Sequence, residues 1–296
     1  MYSKIKSIFV ILITISLVGC ENSSKQDLST LARVAETKQI TIGTGTTVPP
    51  MNYLNSKGEW AGFDIDFSQA LVEEISKLLK VELSIKRVPV NNKTRVSFLN
   101  NGRIDMTVSS MSRTESRDDI IDFVDPPYFY STKVFYSRKG ENLSIADLGG
   151  KKIAVVQGSN AYTAVTEEIL KHSNIEPQII SFQTNAECFL ALRQKKVDAY
   201  SQDLPIIIGV SSKYAEQFEV VGTGYSPGLY SIGVIENDSE WRDIVGVALQ
   251  RMFRNGEYEK VYSKWFGASG IYPLPVDARP RLPDNLLGKS LYIIPR

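Results

Sequence analysis

Strand and helix signals alternate twice along this chain, and few folds accommodate that order. From Lys38 the run is "QITIGTG", a strand ending in glycines, then the amphipathic "FDIDFSQALVEEISKLLK", then the strand "VELSIKRVPV". In the amphipathic segment Phe67, Leu71, Ile75, Leu78 and Leu79 share one helical face, and Asp64 or Asp66 suits its N-cap. A short helix in "KTRVSFLNNG", ending at Gly102, leads to the buried strand "RIDMTVSSMS". After "RKGENLSIADLGG" the pattern repeats: strand "KKIAVVQG", helix "AYTAVTEEILKHS", strand "PQIISF", helix "NAECFLALRQKK", strand "VDAYSQD". A further strand, "GLYSIGVI", precedes two helices broken at Gly256, and residues 268–296, with five prolines, read as an extended tail. Alternation of this kind predicts an α/β protein whose mainly parallel sheets are covered by helices.

The N-terminus predicts export. Lys4 and Lys6 precede the brief apolar run "SIFVILITISLVG", which is short for a membrane span, and Cys20 follows. "LVGC" resembles a lipobox, which implies cleavage after residue 19 and lipidation of Cys20. More than one acyl chain there anchors a protein stably. Residues 20–37, including the polar "ENSSKQDLST", then read as a lipidated start and flexible tether. The expected location is the membrane surface, facing the periplasm or the cell exterior.

Removing residues 1–19 leaves 277 residues with 32 basic against 33 acidic side chains. That length suits two moderate domains. The balance lacks the cationic field that nucleic acid demands. With Cys20 lipidated, Cys188 has no disulfide partner, and helical spacing makes it a small buried residue. His172, the only histidine, falls near a helix C-terminus, where it caps or meets solvent. Neither metal nor cofactor is expected.

The stretch "SSMSRTESRDDIIDFVDPPYF", residues 109–129, gathers hydroxyls and an arginine ahead of an apolar, proline-stopped run, as a socket for a small anion would. Here the chain resembles the polar amino acid group of bacterial binding proteins that serve ABC importers. The resemblance runs from about Lys38 to Gly267 and includes "VPPMNYLNSKGEWAGFDIDF", "LNNGRIDM", "IADLGGKKIAVVQGS", "VDAYSQD" and "NGEYEKVYSKWFG". It implies the two-lobe periplasmic binding protein type II fold. Lobe one would be discontinuous (38–129 and 230–267) and lobe two would span 130–229, with crossovers near 127–134 and 227–234.

The resemblance also implies roles. Arg117 clamps the ligand α-carboxylate, for which a planar guanidinium offers two parallel donors. Ser110 and Ser112 supply a backbone carbonyl and a hydroxyl–amide contact. Ser159, where a strand turns into a helix, adds a second anion hold through free backbone N–H groups. Asp203 accepts the ammonium. Arg95 meets a side-chain carboxylate, while Asn92 and Asn185 contact a carboxylate or an amide. Read without the resemblance, Arg117 is a helix-surface arginine paired with Glu115 or Asp118, and Ser159 a helix cap. Asp203 is then a turn residue and Arg95 a solvent-facing side chain at a helix start. Arg117, Arg95 and Asp203 sum to one positive charge, which suits glutamate or aspartate. Glutamine or asparagine remains open, because Thr44 and Gly45 stand where some acid-binding relatives carry a basic residue. Tyr53 or Trp60 is expected to wall the ligand, Val48 occupying the usual aromatic place.

The implied function is a monomeric carrier that is not an enzyme: it captures a free L-amino acid and presents it to its membrane permease. The alternative is a cyclohexadienyl (arogenate) dehydratase-like enzyme on the same fold, which would want a spare carboxylate in the cleft. None stands out in the sequence.

Overall fold

The computed structural model describes residues 29–280. The export signal, Cys20 and the last part of the tail lie outside the described residues. Two five-stranded sheets form the framework. The first runs Ser84–Pro89, Gln39–Thr44, Met106–Thr107, Gly233–Val234, Asp122–Phe123, its first three strands parallel. The second runs Gln178–Phe182, Lys152–Val156, Ala199–Asp203, Phe129–Arg138, Phe218–Tyr230. Its first three strands are also parallel, and the last two are antiparallel to their neighbours. These last two pair with each other from Phe218↔Arg138 to Tyr230↔Phe129 and connect the two lobes. This is the two-lobe α/β architecture with two crossover strands.

The lobe-one core forms because three helices turn apolar faces onto one side of the first sheet. In Phe63–Leu79 the buried residues include Phe67, Leu71 and Ile75, as the periodicity requires. Phe63 sits among rings from all parts of the lobe, 5.3 Å from Phe266 and 5.4 Å from Phe129 between centroids. Helices Ser239–Asn255 and Glu257–Phe266 meet at Gly256, whose φ of 82° ends one helix and re-aims the chain into the next.

Several expectations need correction. Gly62, not Asp64 or Asp66, is the N-cap of Phe63–Leu79. Asp64 is buried, and Asp66 faces Lys264 and Trp265. The tether does not extend to residue 37: Thr30–Thr37 is a helix capped by the Ser29 hydroxyl, with Val34 buried in the lobe-one core. "GLYSIGVI" is divided, its first part ending the long crossover strand at Tyr230 and its second forming Gly233–Val234. Of the strand expected in "RIDMTVSSMS", only Met106–Thr107 is laddered. Helix Leu204–Ser211 was not foreseen, because "LPIIIGVS" is apolar on every side. The described tail is not free: Ala278 is buried, its N–H donating to Tyr262 and its carbonyl accepting from Tyr130 N–H.

Candidate functional site

Ser110 is held by its surroundings in a backbone conformation it would not choose. Its φ of 50° is left-handed, which costs a non-glycine residue about 1–2 kcal/mol. Behind it, Ser110 Oγ donates to Asp64 Oδ2 (2.8 Å) and accepts from Asn52 Nδ2 (2.9 Å). Tyr128 closes the ring, its hydroxyl accepting from Ser110 N–H and donating to Asp64 Oδ1, both at 3.1 Å. The Ser110 hydroxyl is thereby occupied, and its carbonyl is the polar group left for the cleft.

Asp64 is fully buried, and burial outweighs the hydrogen bonds it accepts from the Ser110, Asn52 and Tyr128 side chains, pushing its carboxyl up to about 6. The folded protein therefore holds this proton more tightly than the unfolded chain. Between pH 4 and 6 the native state carries the extra proton, so stability falls as pH rises through that window. From pH 5 to pH 7.5 Asp64 should cost about 1.4 kcal/mol of unfolding free energy. Denaturant titrations at the two pH values should show that loss in the wild type relative to Asp64→Asn. Parallel profiles would contradict it.

The two arginines come from the same lobe. Arg95 opens helix Arg95–Asn100 yet is only 4% exposed, contrary to a solvent-facing side chain. Its Nη1 donates to Ser109 carbonyl at 3.0 Å, and its buried Nε has no partner. Burial, and then the neighbouring Arg117 charge, pull it down to about 9. Arg117 is not paired with Glu115 or Asp118; its Nη1 donates to Ser112 carbonyl at 2.6 Å, and burial lowers it too. Among the described residues neither guanidinium has an ion-pair partner within 4.0 Å.

Lobe two faces them. Ser159 lies between strand Lys152–Val156 and helix Ala161–Leu170, its hydroxyl donating to Val156 carbonyl (2.7 Å) and accepting from Ala161 N–H (3.3 Å), while its own N–H donates to Val156 carbonyl (3.2 Å); the free backbone N–H groups expected at Ser159 and Ala161 are therefore taken. The helix N-cap itself is Asn160, so Ser159 is not a plain cap. Asp203 ends strand Ala199–Asp203 and caps helix Leu204–Ser211 without a side-chain cap bond. Its carboxylate takes Lys133 Nζ at 3.1 Å and the Tyr230 hydroxyl. A relay fixes the orientation of Asn185. Asp203 N–H donates to Gln202 Oε1, so Gln202 must present Nε2 to Asn185 Oδ1 (2.7 Å), where Tyr200 also donates. Asn185 is left with its N–H groups for the cleft.

All eight residues singled out from the sequence — Asn92, Arg95, Ser110, Ser112, Arg117, Ser159, Asn185 and Asp203 — line one cavity between the lobes. Val48 and Ile206 supply its apolar wall. Tyr53 and Trp60 do not reach it, which corrects the aromatic expectation. The lobes are closed on one another: Lys93 Nζ reaches Gln157 Oε1 at 2.5 Å, and Gly158 (φ 71°) lies where a Cβ would crowd Asn92 and Lys93. Sequence reasoning missed Lys133 and Asp64. A lone lysine inside the apolar strand Phe129–Arg138 was a signal for the first. Asp64 gave none, since an acid at a helix start ordinarily reads as a cap. His172 is exposed and 3.3 Å from Glu168, and Cys188 is buried, burial holding its thiol far above the usual range. No described helix is long and apolar enough to cross a membrane.

Residues 40–268 match the family model of bacterial extracellular solute-binding proteins, family 3. The chain is 27% identical over 287 residues to the glutamate/aspartate import solute-binding protein of Salmonella typhimurium (strain LT2), covering 94% of this chain and 92% of that protein. It is 30% identical over 248 residues to the ABC transporter glutamine-binding protein GlnH of Bacillus subtilis (strain 168), covering 83% and 87%. Among solved structures it is similar to the ancestral amino acid-binding protein AncCDT-1, a precursor of cyclohexadienyl dehydratase. The TM-score is 0.69 and the identity 27%, over 80% of this chain and 99% of that one. A fold of two lobes closed on a polar cavity, together with the family match over most of its length, shows that the chain belongs to the bacterial extracellular solute-binding proteins, family 3.

Proposed function

We propose that this protein captures an acidic amino acid, glutamate or aspartate, between its lobes and delivers it to an ABC importer. One observation carries the reading: the guanidinium groups of buried Arg95 and half-buried Arg117 line one cavity, and neither has a carboxylate partner among the described residues. Burying a cation without a counter-charge is expensive, and a ligand with two carboxylates relieves it twice. Arg117 takes the α-carboxylate with support from Ser112 and from the turn at Ser159 and Asn160 that lines the cavity. Ser110 carbonyl and Asp203 take the ammonium. Arg95, Asn92 and Asn185 take the side chain. Asn185 presents only N–H groups there, which favours a carboxylate over an amide. The ligand bonds both lobes, so it stabilises the closed state over the open one.

A carrier, not an enzyme, fits the carboxylates. Asp64 is fully buried behind Ser110, and Asp203 is engaged by Lys133 and Tyr230, so neither is free to shuttle a proton. In this reading Cys20 carries the lipid that keeps the carrier at the membrane.

The test is calorimetric titration of all twenty amino acids against wild type and Arg95→Ala. An acidic amino acid should bind tightest, and the substitution should weaken it by about 2 kcal/mol, roughly 30-fold, while sparing glutamine. Equal losses for glutamate and glutamine would remove Arg95 as the selector.

A further inference from the structure

The charged ligand-facing residues, Arg95, Arg117 and Asp203, sum to one positive charge; Asp64, buried behind Ser110, would cancel it, and Lys133, buried beside Asp203, restores it. Lys133 is only 1% exposed and stands opposite Asp203 in the antiparallel ladder between strands Phe129–Arg138 and Ala199–Asp203. Its Nζ lies 3.1 Å from Asp203 Oδ1. The crossover strand therefore carries a buried cation to the cleft floor, directly behind the acid that faces the ligand. Other ways of satisfying Asp203 were available, and the Tyr230 hydroxyl already serves its second oxygen without any charge. A buried ion pair is a poor source of stability, since desolvation offsets much of the attraction. Its effect on a ligand is different. With Lys133 included, three cations (Arg95, Arg117, Lys133) oppose two carboxylates (Asp64, Asp203), and the closed site holds one positive charge. Without Lys133 it would hold none.

We infer that Lys133 is a specificity-determining residue: by neutralising Asp203 from behind, it sets the cleft's net charge and so selects a ligand with one net negative charge over a neutral zwitterion. It touches no ligand and acts through Asp203. This deepens the proposed function and rests on the placement of the amino acid in this cleft.

The experiment titrates Lys133→Met with glutamate and with glutamine and compares the ratio of their affinities with that of the wild type. The ratio should move toward glutamine by at least tenfold, because the altered site suits a neutral ligand. A Lys133 that merely braces the hinge would weaken both ligands together, and an unchanged ratio overturns the inference. Should Lys133→Met fail to fold with Asp203 left unpaired, Lys133→Met/Asp203→Asn removes both charges and restores one net positive charge. That variant should bind both ligands more weakly with a wild-type ratio; a ratio shifted toward glutamine there overturns the inference as well. The outcome is separable from the proposed function. If the wild type itself prefers glutamine, the acidic reading fails, while the change in ratio still reports what Lys133 does.

Discussion

Replacing Arg117 by methionine is expected to cost about 3–5 kcal/mol of ligand binding, roughly 10²–10³-fold or more in affinity, with the fold intact. The ligand α-carboxylate would be left in a closed cavity without its bidentate partner, and a desolvated, unpaired charge is the most costly feature a binding site can acquire. The unliganded protein should not suffer equally. Arg117 is half-buried, desolvation holds its guanidinium pKa below the usual range, it lies near Arg95, and its only side-chain hydrogen bond among the described residues is to the Ser112 carbonyl. Methionine fills a similar length without charge, so the melting temperature without ligand should stay within a few degrees of the wild type. Calorimetry and thermal melts on the same preparation separate the two effects. A loss of less than about tenfold in Arg117→Met would show that the α-carboxylate is held elsewhere and would undo the assignment of the site.

A second large loss is expected from a residue that touches no ligand. Gly209 lies on helix Leu204–Ser211 of lobe two, against the Pro49–Pro50 segment of lobe one. A Cβ at this position would collide with the Pro49 carbonyl oxygen and lie 2.5 Å from Pro50 Cδ. Backbone on one side and a ring on the other leave nothing flexible to give way. Gly209→Val should therefore hold the lobes apart, penalising the closed state by up to about 3 kcal/mol, the scale of overpacking at a tight contact. Apparent affinity falls with the population of the closed state, here by up to roughly 150-fold. Small-angle scattering should show that the wild type compacts when ligand is added and that the variant stays open. Lobe two itself should fold normally, because valine is at least as good as glycine inside a helix. Wild-type affinity in Gly209→Val would mean that this contact does not limit closure.

Much of this molecule was legible as a string of residues because it is dictated by local periodicity and by motif. The apolar face of Phe63–Leu79 follows from a 3.6-residue repeat, and the break at Gly256 from a residue that alone adopts φ of 82° at little cost. The eight candidate residues were singled out by motif, and they line one cavity although they lie on both lobes and up to 111 positions apart, from Asn92 to Asp203.

What tertiary structure alone decided is which charges face each other. Asp64 has the local signature of a helix cap, yet the packing of Asn52, Ser110 and Tyr128 around it buries it and pushes its carboxyl up to about 6. Lys133 lies 70 residues from Asp203 along the chain, and only the register of two antiparallel strands joins them. Asn185, at the start of a helix, owes its orientation to a relay that begins at a backbone N–H on strand Ala199–Asp203. The physical reason is common to all three. Propensity and amphipathic patterns act over a few neighbouring residues, whereas the cost of burying a charge depends on every group within several ångströms, and that neighbourhood exists only once the sheets have paired and the lobes have met.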